Sequence, residues 1–445
     1  MTLSQTNSEL YSSLFGDPEI AALFSEEAFV RFMLRVEVAL AKVQGGMGVI
    51  PVEAAERIAR GAADLSVDLE QLRSGIEKSG VPVIDLVRQL RLQVGPEAAD
   101  YVHWGATTQD IMDTALVLQV SAALDLITDA LNDVIQGLAR LADRHRYTLM
   151  AGRTHSQQAL PITFVFKVAG WLAPLLRHRQ RLKELAPRLL AIQFGGGSGT
   201  LAALDDRGLD VQDALARQLD LGVPLMPWHT QRDNLAELAG WLSMVSSSLA
   251  KMAQDVILLA QTEVGEVRET ADPSRGGSST MPQKSNPIIS ELIIAAARTN
   301  ASLLSAIHQS GVQEHERGTH GWQMEWLSLP QMVSLTAATL KKALFLSQNL
   351  AVDPAQMRAN LADSNGLLLG EAITYALSPK YMRRAEATVL VKNACRMAIE
   401  QDRHLLDVVQ EVSSAPVDWK SMIDESDYLG STDVFVNRVL FEASD

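Results

Sequence analysis

Residues 238–259 read LAGWLSMVSSSLAKMAQDVILL. Leu238, Leu242, Val245, Leu249, Met252, Val256 and Leu259 recur at alternating spacings of four and three with no proline between them. That is the apolar seam of a long helix packed in coiled-coil fashion against others. Leu124, Ile127, Leu131, Val134, Leu138 and Leu141 repeat the pattern. The runs from about Pro287 to Ser310 and from about Pro330 to Leu350 also read as helices, each opened by a proline at a first-turn position. A helix of about 30 residues is about 45 Å long, more than a compact monomer needs, so the expectation is a bundle. Strand signals are scarce, and the fold class expected is all-α.

The chain has 445 residues, 47% of them hydrophobic but only 5% aromatic, which favours helix packing over a sheet sandwich. Its net charge of −14 repels a nucleic-acid backbone. Arg177–Lys183 (RHRQRLK) and Arg383-Arg384 read as solvated helix faces. One cysteine, Cys395, leaves no internal disulfide and no cysteine-based zinc site. The opening MTLSQTNSELYSS lacks the pattern of a signal peptide, and no run reaches about 18 uninterrupted apolar residues. The expected location is the cytoplasm, with no nucleic-acid or membrane partner.

Three segments emerge: 1–112 with shorter helices, 113–350 with the long ones, and 351–445 with short ones again. The seams are core, so function falls to the polar breaks. His103–Asp110 (HWGATTQD) sets an imidazole, two hydroxyls and a carboxylate before a long helix; Thr107 and Thr108 either cap that helix or hold a substrate carboxylate. Gly152–Pro161 (GRTHSQQALP) reads as another helix start, with His155 either structural or catalytic. Pro227–Asp233 (PWHTQRD) carries Thr230, Gln231 and Arg232. Gly276–Glu291 (GGSSTMPQKSNPIISE) is a glycine-hinged loop whose N–H groups suit an anion. It lacks the Gly-Lys-Ser/Thr ending of a nucleotide loop, as does FGGGSGT at 194–200, which reads as a tight connection.

Taken together these residues resemble the fumarase/aspartase superfamily over essentially the whole chain. GSSTMPQKSNP is similar to its signature G-S-S-x-M-P-x-K-x-N-P, HWGATTQD to its H-x-G-x-T-S-x-D region and GRTHSQ to its G-R-T-H-x-Q region. The stretches QFGGGSGTLAAL, PWHTQRD, QEHERG and YLGSTDVFVNRVL look most like the 3-carboxy-cis,cis-muconate cycloisomerase branch, which neighbours the adenylosuccinate lyases. The resemblance implies a three-domain, nearly all-helical subunit with a central long-helix bundle, assembled as a homotetramer whose active sites each draw on three subunits. It implies chemistry on a small polycarboxylate without cofactor or metal: a proton is removed beside a carboxylate, and a leaving group departs from the neighbouring carbon of the aci-carboxylate. By position, Ser279 matches the general base, His155 the acid that protonates the leaving group, and Glu291 the carboxylate that orients this histidine. Lys284 and Asn286 match carboxylate-binding positions, and His103, Thr107, Thr108, Gln231 and Arg317 match substrate contacts. Such a loop closes over substrate and excludes water.

The departures from that branch matter. Its bacterial cycloisomerases carry Trp, His and Ala where this chain has His155, Gln158 and Glu291. The His–Glu pair favours assisted departure of an amine or hydroxyl from a succinate-type substrate, releasing fumarate or an analogue. Lactone formation by a 3-carboxy-cis,cis-muconate cycloisomerase is the alternative, and a non-catalytic structural tetramer a second one. The segment THGWQMEWLSLP, with Trp322 and Trp326, lacks the serine-rich, Glu-Arg phosphate site of adenylosuccinate lyase. Argininosuccinate lyase shares the MPQK spelling and little else.

Overall fold

The computed structural model describes residues 8, 10–272, 274–419 and 425–444. Among them helix dominates. The five longest helices are α1 (Thr108–Arg144), α2 (Phe164–Leu189), α3 (Asp233–Leu259), α4 (Ile288–Ser310) and α5 (Gly321–Asn349). With 37 residues, α1 is about 55 Å long. Both apolar seams are interior: no seam residue in 238–259 is more than 3% exposed, and none in 124–141 more than 6%. The single chain therefore covers these seams itself, and they do not require another subunit.

The chain divides into two compact units. The first comprises Met1–Ala130, His178–Ser247 and Ala295–Leu340; the second comprises Leu131–Arg177, Ser248–Ile294 and Lys341–Asp445. In the first, the helix Glu26–Gly46 packs against Val52–Asp64 and Gly208–Leu219. Its start is fixed by Ser25, whose hydroxyl accepts the Ala28 N–H at 3.1 Å. Its end approaches so closely that a Cβ on Gly45 would lie 2.5 Å from that of Ala55. Met33, Leu40, Leu86, Leu90, Ile111 and Phe194 are fully buried in this core.

In the second unit, the helices Gly370–Leu377, Arg384–Gln401 and Leu405–Val412 enclose Ile373, Leu377, Ala394, Leu405 and Val409, with Trp419 against them. The same unit holds a departure from the all-helical expectation. Residues 149–163 form an antiparallel hairpin, β1 (Leu149–Thr154) and β2 (Gln157–Thr163), rather than the start of a helix. A bulge falls between Gly152 and Arg153. Two further boundaries differ from the sequence reading. Pro287 immediately precedes α4, as expected for a helix opened there, whereas Pro330 lies inside α5, which begins at Gly321.

Helices α1 and α4 are both long and apolar enough to cross a membrane by length and composition alone. Of the most apolar stretch of α1, 67% is buried in the chain, against 28% for α4. Thus α1 is a core helix, while α4 leaves Ile288, Ala295 and Ala301 exposed.

Candidate active site

In the first unit the polar breaks are knitted together beneath their surface by one carboxylate. Asp110, 1% exposed on the first turn of α1, accepts the Thr107 N–H at 3.0 Å, the Gly195 N–H at 3.1 Å and the Gly196 N–H at 2.8 Å. It also accepts Gln193 Nε2 at 3.2 Å and lies 2.7 Å from His229 Nε2. Two segments remote in sequence thus converge on the start of α1 at a single residue, and a buried carboxylate with that many donors is satisfied. Its bond to Thr107 closes the start of α1 from the third helical position, as one arm of a capping box does. The hydroxyls of Thr107 and Thr108 have no hydrogen-bond partner among the described residues, so the side chains themselves do not cap the helix.

The same unit places Arg317 across these loops. Its guanidinium donates to Gln109 Oε1 at 3.2 Å and to the Gly196 and Gly197 carbonyls at 3.3 and 2.7 Å. Gln231 is exposed. His103 is half-buried and left-handed, at φ 67°, with Nδ1 2.6 Å from Glu37 Oε1. Burial works against a charged ring there, but the neighbouring Glu37 and Asp110 carboxylates outweigh it and raise the pKa of His103.

Within PWHTQRD, Arg232 is buried between two carboxylates. It reaches Asp113 on α1 at 2.6 and 3.1 Å and Glu325 on α5 at 2.9 and 2.5 Å, and it stacks over Trp228 at 4.7 Å. Trp322 Nε1 donates to Asp113 at 2.9 Å. Burial pushes the Glu325 carboxyl up despite this guanidinium.

The second unit carries the remaining candidates. His155 sits at the hairpin tip. Thr154 pairs with Gln157, so His155 and Ser156 are the two turn residues, with φ 48° and 63°. Positive φ at both positions is the demand of a type I′ turn, which Asn-Gly meets without strain and His-Ser does not. The strand behind is anchored by Arg153, whose guanidinium grips Glu266 at 2.9 and 2.7 Å; Glu266 is fully buried and also accepts Asn360 Nδ2 at 2.8 Å.

The signature loop is braced by its own backbone. The Asn286 N–H donates to the Gly276 carbonyl at 2.7 Å, and Gly277 bridges Ser285. Gly276 is at φ 72°, where a Cβ would lie 2.5 Å from the Asn286 carbonyl oxygen. Only glycine closes the loop this way. Ser278 Oγ accepts the Thr280 and Met281 N–H groups at 3.3 and 3.2 Å, whereas Ser279 and Lys284 are exposed, and neither these two side chains nor that of Asn286 has a partner among the described residues. Glu269 accepts the Ile289 and Ser290 N–H groups at 2.9 and 2.6 Å and so fixes the start of α4, where Glu291 is exposed. Within the chain His155 and Glu291 make no hydrogen bond to each other.

The structure therefore gathers His103, Thr107, Thr108, Gln231 and Arg317 in one unit and His155, Ser279, Lys284, Asn286 and Glu291 in the other. Sequence reasoning missed the layer beneath them: Glu37, Asp110, Asp113, His229, Glu325 and Glu266. Asp110, His229 and Arg232 stand inside the polar breaks and were visible there as residue types. Glu37 lies in mid-helix, with nothing local to mark it.

The helical scaffold and the comparisons with known proteins together define the class as a lyase. The chain belongs to the family described as Lyase, which matches residues 16–299. Within the fumarase/aspartase superfamily it falls in the 3-carboxy-cis,cis-muconate cycloisomerase-like branch. It is 43% identical to the 3-carboxy-cis,cis-muconate cycloisomerase of Pseudomonas aeruginosa, over 98% of this chain and 96% of that one. To trans-aconitate decarboxylase 1 of Mycosarcoma maydis it is 40% identical, over 97% and 89%. The solved fumarate lyase of Mesorhizobium sp. BNC1 shares 41% identity and a TM-score of 0.89, covering 96% of this chain and 98% of that one. Relatives at near-equal identity thus carry the names of different reactions.

Proposed function

We propose that the protein is a cofactor-independent lyase that eliminates a substituent from a succinate-type substrate and releases fumarate or a close analogue. The observation that carries this reading is the pair His155 and Glu291, in place of the Trp and Ala of the bacterial cycloisomerase pattern. Ser279, as alkoxide, takes the proton beside a carboxylate. The electron pair enters that carboxylate, giving the doubly charged aci-carboxylate, and then returns to form the carbon–carbon double bond as the C–N or C–O bond breaks. His155 delivers the proton to the departing group, with Glu291 holding its tautomer. Lys284, Asn286 and the unpartnered hydroxyls of Thr107 and Thr108 supply the fixed positive charge and donors that such an intermediate needs. Gln231 and Arg317 complete the substrate contacts, with Arg317 also bracing the glycine run. The assembly is a homotetramer with active sites shared between three subunits, each subunit having the domains 1–112, 113–350 and 351–445.

A second reading, 3-carboxy-cis,cis-muconate cycloisomerase, is favoured by the 43% identity to the P. aeruginosa enzyme. One experiment separates the two: fumarate release from a series of N- and O-substituted succinates, beside lactone formation from carboxymuconate, by wild type, His155→Ala and Glu291→Gln. The lyase reading expects His155→Ala to slow poor leaving groups strongly and good ones little, with Glu291→Gln a weaker version. Carboxymuconate turnover with no fumarate from any succinate would select the cycloisomerase. Equal slowing across the series would remove the acid role from His155, and no turnover of any compound would point to a structural tetramer.

A further inference from the structure

The helix Glu26–Gly46 grips the turn at His103-Trp104 at two points, seven residues apart and so on one helix face. Gln44, fully buried, donates Nε2 to the Trp104 carbonyl at 2.8 Å. That bond is a neutral structural tie. The other differs in kind: Glu37 is 2% exposed, and its carboxylate has His103 as its only hydrogen-bond partner among the described residues. A carboxylate charge buried without a positive partner is costly, so this geometry favours a protonated ring. The side chain of His103 keeps 17% of its surface exposed, which leaves part of the ring open.

The charged groups facing that ring come from three elements: Glu37 from Glu26–Gly46, Asp110 from α1, and Arg91 from the helix Val83–Val94. Arg91 is itself engaged, donating to the Val102 carbonyl at 3.2 Å. Two carboxylates against one guanidinium favour imidazolium, in keeping with the raised pKa.

We infer that Glu37 is a positioning residue that holds His103 as a preformed imidazolium, a fixed cation for one carboxylate of the substrate. This rests on the reading of His103 as a substrate contact. A cation already charged and held in a strained left-handed turn needs no reorganisation when a polyanion arrives. Lys284, on a glycine-hinged loop, is not held in that way.

The test follows the His103 titration by NMR of protein labelled with carbon-13 at histidine Cε1, assigned by the signal lost in His103→Gln. It is run on the full-length protein, with and without succinate as an unreactive dicarboxylate. In wild type the ring should titrate above the ordinary value of about 6.5, and higher still with succinate. In Glu37→Gln it should fall by about one unit or more. The alkaline limb of kcat/KM should move down with it, through KM more than kcat. Gln44→Met loosens the same turn without touching charge and should raise KM with no shift in the profile. Should Glu37→Gln fail to fold by circular dichroism, Glu37→Asp should give a smaller shift in the same direction. A wild-type ring titrating at or below about 6.5, no response to succinate, or matching profiles for Glu37→Gln and Gln44→Met would each overturn the inference. If no compound is turned over, the lyase reading fails by itself, while the titration and its succinate response still decide the role of Glu37.

Discussion

A serine is a weak base by nature, and Ser279, the proposed base, is exposed on a loop braced by the Asn286–Gly276 bond, with no side-chain partner among the described residues. Ser279→Ala should fold and assemble as wild type yet lose at least about a hundredfold in turnover, the scale of a removed general base. Near-normal turnover in that variant would reject the assignment. The His103–Glu37 pair also makes a stability prediction. The folded-state pKa of His103 is raised, so its contribution is fully present below the unfolded value of about 6.5 and is lost as pH rises through the folded value. Urea midpoints of wild type and Glu37→Gln should therefore differ most on the acid side of that window and converge on the alkaline side; a constant gap would argue against the linkage. The residues proposed to meet substrate were legible from short motifs. Their partners were not, because Glu37 meets His103 from 66 positions away and nothing in an amphipathic helix singles it out.

At the scale of elements, the helical repeats were legible because alternating spacings of three and four describe an interior stripe, and the seams are interior. The hairpin was not. LMAGRT and QQALPIT show little alternation, and a His-Ser turn carries none of the Asn-Gly signal that usually betrays one. Pro330 misled in the opposite direction, since a proline tolerated inside α5 looks the same on paper as one that opens a helix. The junction of α1, α3 and α5 depends on Arg232 between Asp113 and Glu325, all three side chains at 1% exposure. Arg232→Met leaves two buried carboxylates uncompensated and should destabilise by about 3–5 kcal/mol, read as a lower urea midpoint. Adding Asp113→Asn and Glu325→Gln removes those charges and should recover part of the loss. If the single variant is as stable as wild type, the cluster is not what secures the junction.

For the whole molecule, the long apolar seams prove to be covered by the chain itself. The case for assembly passes to other surfaces: the poorly covered α4, and Phe166, Met244, Leu258 and Leu327, which are 37%, 42%, 44% and 70% exposed. Apolar surface of this kind on long helices suits other copies of the same helices, and we expect a homotetramer. A monomeric mass by light scattering at micromolar concentration would contradict both the assembly and an active site shared between subunits. Substituting Leu327 by Glu should weaken the tetramer and lower activity together if that site is composite.

At the hairpin tip, the proposed acid sits on strained backbone. Two side chains occupy backbone conformations that glycine or asparagine would adopt with less strain, and one of them is the proposed acid. Ser156→Gly removes part of that tension while leaving the imidazole in place, so it should raise the melting temperature and keep turnover. His155→Asn with Ser156→Gly should melt higher still and be catalytically crippled on poor leaving groups. A stabilisation screen that ranked variants by heat resistance alone would therefore be drawn to the tip of this hairpin and select against the acid role proposed for it.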